Sequence, residues 1–355
     1  MTGRGMRQGN GRTLRPWLIL LSLFLLAACG EAGGPVSLEE SEPLRPCTFP
    51  DQSCVEKVAL GGGFFLPVYR SLPITEGDTL VERAVIVVHG ANRNPWDYFE
   101  TMILATQQAQ VLDRTLVVAP HFQTLADGPE GDEPRWTSGG WKRGDQSNTL
   151  PTDADGISSY GAVDRILALL GNSSLYPRLQ EVVVTGHSAG GQYAHRFAAG
   201  SRVEESFPGL RFRYIVANPS TYLYLGPERA GVGEAAGWGI PDGNACPDYN
   251  HWHYGLEKVN PYMADQGPED VRAQLTRRDV IYLVGTEDRG SSMLDMSCGA
   301  MLQGPNRYVR GLILFAYLEA FHPTHAHQLF EVQGVGHSSR GIYTSPAGQK
   351  ALFGG

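Results

Sequence analysis

Cysteine is scarce in this chain, with 5 in 355 residues, and no two of them stand as the C-x-x-C pair of a zinc site. Basic charge is short as well: 29 Lys and Arg face 37 Asp and Glu, a formal net charge of −8. A nucleic-acid partner, whose phosphates demand a basic surface, is therefore excluded. No internal repeat with a period of about 20–50 residues runs through the sequence, which argues against solenoids and propellers. No apolar run is long enough to span a bilayer comfortably; Trp17–Leu26 is too short. What is abundant is glycine, at 44 residues, beside an ordinary 42% of hydrophobic residues that suffices for a sizeable core.

The short apolar run has a purpose. Arg4, Arg7, Arg12 and Arg15 precede it, the layout of an export signal. It ends in Leu26-Ala27-Ala28-Cys29, which resembles the lipobox of bacterial lipoproteins. That resemblance implies removal of residues 1–28, lipidation of Cys29 and an anchor at the cell envelope. The alternative is a plain secretory signal cut near Ala28. Loss of 1–28 removes those four arginines and no acidic residue, taking the net charge from −8 to −12. With Cys29 lipidated, an even four cysteines remain, and exported proteins keep disulfides. The favoured pairing joins Cys47 to Cys54 across a short loop and Cys246 to Cys298 between distant ones; free thiols are the alternative. Residues 29–46 carry Gly, Pro, Ser and Glu without apolar periodicity and read as a flexible tether. The folded domain is then 47–355.

From residue 80 the chain alternates. Continuous apolar runs at Arg83–Val88, Thr115–Pro120, Glu181–Thr185, Phe212–Ala217, Asp279–Val284 and His327–Val332 predict strands buried on both faces. Helical spacing predicts helices over Asp97–Leu112, Ser158–Leu170, Gly191–Ala199 and about Tyr308–Phe321. Residues 56–80 are candidates for antiparallel edge strands. Strands alternating with helices give an α/β fold, a mostly parallel central sheet with helices on both faces. The long excursion 220–278 reads as a small cap insertion over the sheet.

In such sheets, sites form on the loops that leave the carboxyl ends of strands. Gly186-His187-Ser188-Ala189-Gly190 is a G-x-S-x-G pattern, weak by itself in so glycine-rich a chain. Its context is stronger, because Ser188 follows a Val-Val-Val strand and precedes a helix, as a nucleophile elbow requires. Asp288 follows the next-to-last strand and His337 the last, in Gly334-Val335-Gly336-His337-Ser338. The loop Val88-His89-Gly90-Ala91-Asn92 follows the first buried strand. This order of Ser, Asp and His resembles the α/β-hydrolase superfamily over residues 80–350, and particularly secreted esterases and lipases. The segments HGANRNPWDYF, GHSAGGQ, ANPS and GVGHS are similar to those of a group of bacterial and fungal hydrolases.

The resemblance implies Ser188 as nucleophile, His337 as base, Asp288 as the orienting acid, and an oxyanion hole from the N–H of Ala189 and of Ala91 or Asn92. Glu287 and Asp295 are rival acids. His187 is expected to point elsewhere, His195 lies on the following helix, and His89 is expected to buttress the oxyanion loop. The groups His251/His253 and His322/His325/His327 read as polar loop residues rather than metal ligands, since no carboxylate or cysteine cluster adjoins them in sequence. Trp136, Trp141 and Tyr222 are candidates for the substrate cleft; the alternative for the tryptophans is a surface loop that packs them on the domain, and for Tyr222 the core at the base of the cap. The chemistry needs no metal and no cofactor. The expected activity is carboxylic ester hydrolysis by a monomer on a small or polymeric ester. An amidase of the same fold and a non-catalytic binding lipoprotein are the alternatives.

Overall fold

Where Val, Ile and Leu follow one another without polar interruption, the computed structural model of the chain has strands covered on both faces. It describes residues 45–148, 156–232 and 237–354. The expected signal segment, Cys29 and all but the last two residues of the tether lie outside them. The described chain opens with a hairpin, β1 (Val55–Gly61) and β2 (Phe64–Arg70), which are the edge strands expected within 56–80. Then follow β3 (Arg83–Val88), α1 (Pro95–Gln108), β4 (Thr115–Pro120), α2 (Ser159–Leu170), β5 (Glu181–His187), α3 (Ala189–Gly200) and β6 (Arg211–Ala217). The excursion 220–278 holds a two-stranded ribbon, β7 (Arg229–Ala230) with β8 (Trp238–Gly239), and α4 (Pro268–Arg277). The chain returns as β9 (Asp279–Gly285), α5 (Cys298–Met301), α6 (Arg307–Phe321), β10 (Gln328–Val332), α7 (Ser339–Tyr343) and α8 (Pro346–Phe353).

Eight strands form one sheet in the order β1-β2-β4-β3-β5-β6-β9-β10. Only β1 and β2 run antiparallel to their neighbours; the other pairs are parallel. Side chains alternate across the sheet, so the apolar residues divide into two cores. One packs the sheet against α2, α3, α4 and α6, and the other against α1, α7 and α8. Helix α1 begins and ends earlier than its apolar pattern suggests. Pro95, with its φ fixed for a helix start, opens it, and Gln110 at φ 57° lies beyond its end. The structure pairs Cys47 with Cys54 and Cys246 with Cys298.

Candidate active site

Strand β5 delivers Ser188 to the head of α3, in a tight reversal. Ser188 has φ 60° and ψ −117°, a conformation that side chains rarely adopt. Two glycines make room for it. A Cβ on Gly186 would lie 2.3 Å from the Gly190 carbonyl carbon, and one on Gly190 would lie 2.1 Å from the Val88 carbonyl oxygen. The turn therefore packs directly on the end of β3, where the loop Gly90-Ala91-Asn92 begins. Ala189 is the first residue of α3, so its N–H has no acceptor within the helix. That amide, the helix dipole and the β3 loop all lie beside Ser188.

The loops after β9 and β10 bring two more side chains to the serine. His337 Nε2 is 2.9 Å from Ser188 Oγ, and His337 Nδ1 is 2.6 Å from Asp288 Oδ2. Ser188 and Asp288 are buried, while the His337 side chain is 30% exposed. Of the three candidate acids, Asp288 is the one within hydrogen-bond distance of His337. Glu287 is exposed, and Asp295 accepts instead from the Tyr254 hydroxyl at 2.7 Å. A hydroxyl, an imidazole and a carboxylate joined in this way can move a proton off the hydroxyl and return it to a leaving group.

Three neighbours of this relay were not singled out in the sequence for what they do. The Asn218 side chain accepts from the Gly285 N–H at 2.8 Å and donates to the Gly336 carbonyl at 3.3 Å, tying the two loops together. Arg307, on α6, sets its Nη1 3.5 Å from Asp288 Oδ1. Its Nη2 donates to the Ser292 carbonyl at 2.8 Å. His187, expected to point away, instead packs its ring 4.5 Å from that of His337 and borders the same cavity. Burial, reinforced by His337, drives the His187 pKa far down, so its ring is neutral. The ANPS segment was the sole local signal for Asn218, and no sequence signal marks Arg307.

The other predicted residues sort by packing. His89 buttresses the β3 loop: its Nε2 accepts the Phe122 N–H at 3.0 Å and its Nδ1 lies 3.0 Å from the Gly90 carbonyl. Burial holds it neutral by lowering its pKa to about 3, which fits an Nε2 that accepts. His195 sits in the core between Tyr222 and Tyr282. Trp136, Trp141 and Tyr222 do not border the Ser188 cavity; all three are buried in the larger core. Trp141 packs on His89, with ring centroids 4.6 Å apart, and the Tyr222 N–H donates to Gln303 at 2.8 Å. Burial of so large an apolar face outweighs exposing it in a cleft. His251 does have carboxylate neighbours, Asp248 at 2.9 Å and Glu257 at 3.8 Å. His327 is spent on Tyr282 and the Leu275 carbonyl.

Ser188 opens on a cavity of about 440 Å³. Gly90, Ala91 and Asn92 border it, together with Ser292, Met293, Asp97, Glu100 and Arg340. Arg340 donates to Glu100 at 3.2 Å. The lining is mostly polar, with Met293 as its exposed apolar side chain.

The architecture is the α/β-hydrolase fold. LpqC, a poly(3-hydroxybutyrate) depolymerase from Bordetella parapertussis, matches it with a TM-score of 0.57 at 22% identity, over 82% of this chain and 85% of that one. Poly(aspartic acid) hydrolase-1 from Sphingomonas sp. KT-1 matches with a TM-score of 0.57 at 21% identity, over 87% of this chain and 100% of that one. No protein-family model matches the sequence, and no curated protein does.

Proposed function

We propose that the chain is a serine hydrolase that cleaves carboxylic esters through an acyl-enzyme. The observation that carries this is the hydrogen-bonded chain from Ser188 through His337 to Asp288 at the carboxyl ends of β5, β9 and β10. Ser188 Oγ attacks the acyl carbonyl while His337 takes its proton. The C–O bond to the alcohol then breaks as His337 returns that proton to the leaving oxygen. Water, deprotonated by the same imidazole, releases the acid and restores Ser188. Asp288 holds the ring and balances the imidazolium. The N–H groups of Ala189 and of Ala91 or Asn92 receive the oxyanion, with the α3 dipole behind them.

The polar cavity lining favours compact, hydrophilic esters over long acyl chains. Both structural neighbours are named for polymeric substrates, so oligomeric esters belong among those to test. The sequence layout at Leu26–Cys29 supports export and a lipid anchor at the cell envelope. A fluorophosphonate probe and 4-nitrophenyl acetate and butyrate test the reading. Wild type is expected to label and turn over, and Ser188→Ala to lose labelling and at least about 10⁴-fold in kcat. A folded wild type that neither labels nor hydrolyses any ester overturns it, in favour of a ligand-binding protein.

A further inference from the structure

Beyond the serine, unpartnered polar groups gather at one place in the fold. Lys142 and Arg143 lie in the single turn after Trp141, and Arg196 lies on α3. Arg196 is fully buried, and its guanidinium bonds only to neutral acceptors: the carbonyls of Lys142 and His253, Gln192 and Thr221. Among the described residues, no carboxylate comes within ion-pair distance of any of these three cations. Asp145 and Asp295 face the cluster only at longer range. Around it, Arg143 Nε, Tyr160 Oη and His253 Nε2 are all buried without a hydrogen-bond partner. His253 is 5% exposed and Tyr160 fully buried. The Lys142 ammonium likewise makes no hydrogen bond to the described residues. Leaving buried donors unpaired is costly, and three such atoms beside a partly buried ammonium need a common explanation.

The cluster lies farther along α3 from Ser188, and none of its five residues is among those that border the Ser188 cavity. Gln192, which holds Arg196 at 3.3 Å, is one helical turn from Ser188. Arg196 is eight residues from Ser188 along α3, roughly 12 Å at 1.5 Å per residue. Trp141 rests on His89, which bonds the loop bordering the Ser188 cavity.

Resting on the ester-hydrolase reading, we propose that Lys142, Arg143 and Arg196, with His253 and Tyr160, form a subsite for a carboxylate carried by the substrate on the α3 side of Ser188. A guanidinium fork beside an ammonium matches a planar carboxylate, and the neutral imidazole and phenol add donors without adding charge. Burial first, and then Arg196 and Arg143, pull the Lys142 pKa down to about 8; an anion docked there offsets that penalty. The substrate class is a monoester of a dicarboxylic acid, or an oligoester that ends in a free carboxylate.

The test compares mono-4-nitrophenyl esters of glutaric, adipic and suberic acids with their methyl-capped diesters, using the full-length protein. At the best chain length, wild type is expected to prefer the free acid at least tenfold in kcat/KM. That ratio falls to near one in Lys142→Met and recovers in part in Lys142→Arg. A wild-type ratio at or below one for every length overturns the subsite, and so does a ratio that Lys142→Met leaves intact. 4-Nitrophenyl acetate separates the two readings. Turnover of acetate without acid preference defeats the subsite alone, whereas no turnover of any ester defeats the hydrolase reading and the subsite with it.

Discussion

Asn218 shows how much one buried amide can hold. It has φ 42°, is fully buried, and reaches both the β9 and β10 loops. Replacing it with Ala strands the Gly285 N–H in the interior and frees the loops that carry Asp288 and His337. We expect Asn218→Ala to cost about 1–3 kcal/mol in urea unfolding and about 100-fold in kcat/KM on 4-nitrophenyl butyrate, because small displacements of reacting groups are costly. An unchanged kcat/KM would show that the loops keep their places unaided. Arg307 acts on the other oxygen of Asp288, and both side chains are buried. Removing the cation leaves a buried carboxylate with less compensation, so Arg307→Met is expected to destabilise the fold by about 3–5 kcal/mol, read as a lowered urea midpoint. The relay residues themselves were legible in the sequence, since each follows a strand that its apolar run announces. Asn218 and Arg307 were not read in these roles. Asn218 meets Gly336 across 118 residues of chain, and no local pattern encodes such a meeting. His187 was misjudged for a related reason: the direction of its ring is set by packing against His337, not by its neighbours in sequence.

At the scale of elements, strands were easier to read than loops. A strand covered on both faces leaves an unbroken apolar run, whereas a Gly- and Trp-rich loop looks the same whether its rings line a cleft or fill a core. Trp136 and Trp141 went to the core, and α4, α5, α7 and α8 lie outside the expected helices, because α4 is largely polar and the other three are short. Helix α2 offers a test of how an element tolerates a charge. Its Asp164 accepts from Ser201 at 2.7 Å and from Tyr262 at 2.5 Å. Burial outweighs both bonds and raises its pKa from 3.8 to about 6. Below about pH 4 the carboxyl is protonated folded or unfolded, and it costs nothing. Between about pH 4 and 6 the unfolded chain ionises first, so stability drains away as pH rises, by about 3 kcal/mol at completion. Asp164→Asn is therefore expected to stabilise the protein by about 2–3 kcal/mol at pH 8 and negligibly at pH 4. Equal urea midpoints for mutant and wild type at pH 8 would refute the burial argument.

The described chain is a sheet whose two cores are closed by helices, and two covalent ties lie outside that scheme. Cys47–Cys54 closes a sequence separation of 7 near the start of the described chain. Cys246–Cys298 closes one of 52, joining the 220–278 excursion to the stretch beyond Asp288. Chain-entropy arguments assign the long loop roughly 4 kcal/mol and the short one roughly 2 kcal/mol. The long tie has a second role. Tyr254, within the excursion, donates to Asp295, and the Asp295 N–H donates to the Ser220 hydroxyl oxygen at 2.7 Å. Met293, two residues before Asp295, borders the Ser188 cavity. Cutting the tie thus loosens one wall of the cavity as well as the fold. Cys246→Ser with Cys298→Ser is expected to lower the urea unfolding free energy by roughly 4 kcal/mol and to raise KM for nitrophenyl esters more than it lowers kcat, since Ser188, His337 and Asp288 keep their own bonds. The Cys47→Ser, Cys54→Ser pair provides the contrast, a smaller loss of stability with KM unmoved. Should both pairs leave KM alone, the Cys246–Cys298 tie serves stability only, and the cavity wall is held by the Tyr254, Asp295 and Ser220 bonds without it.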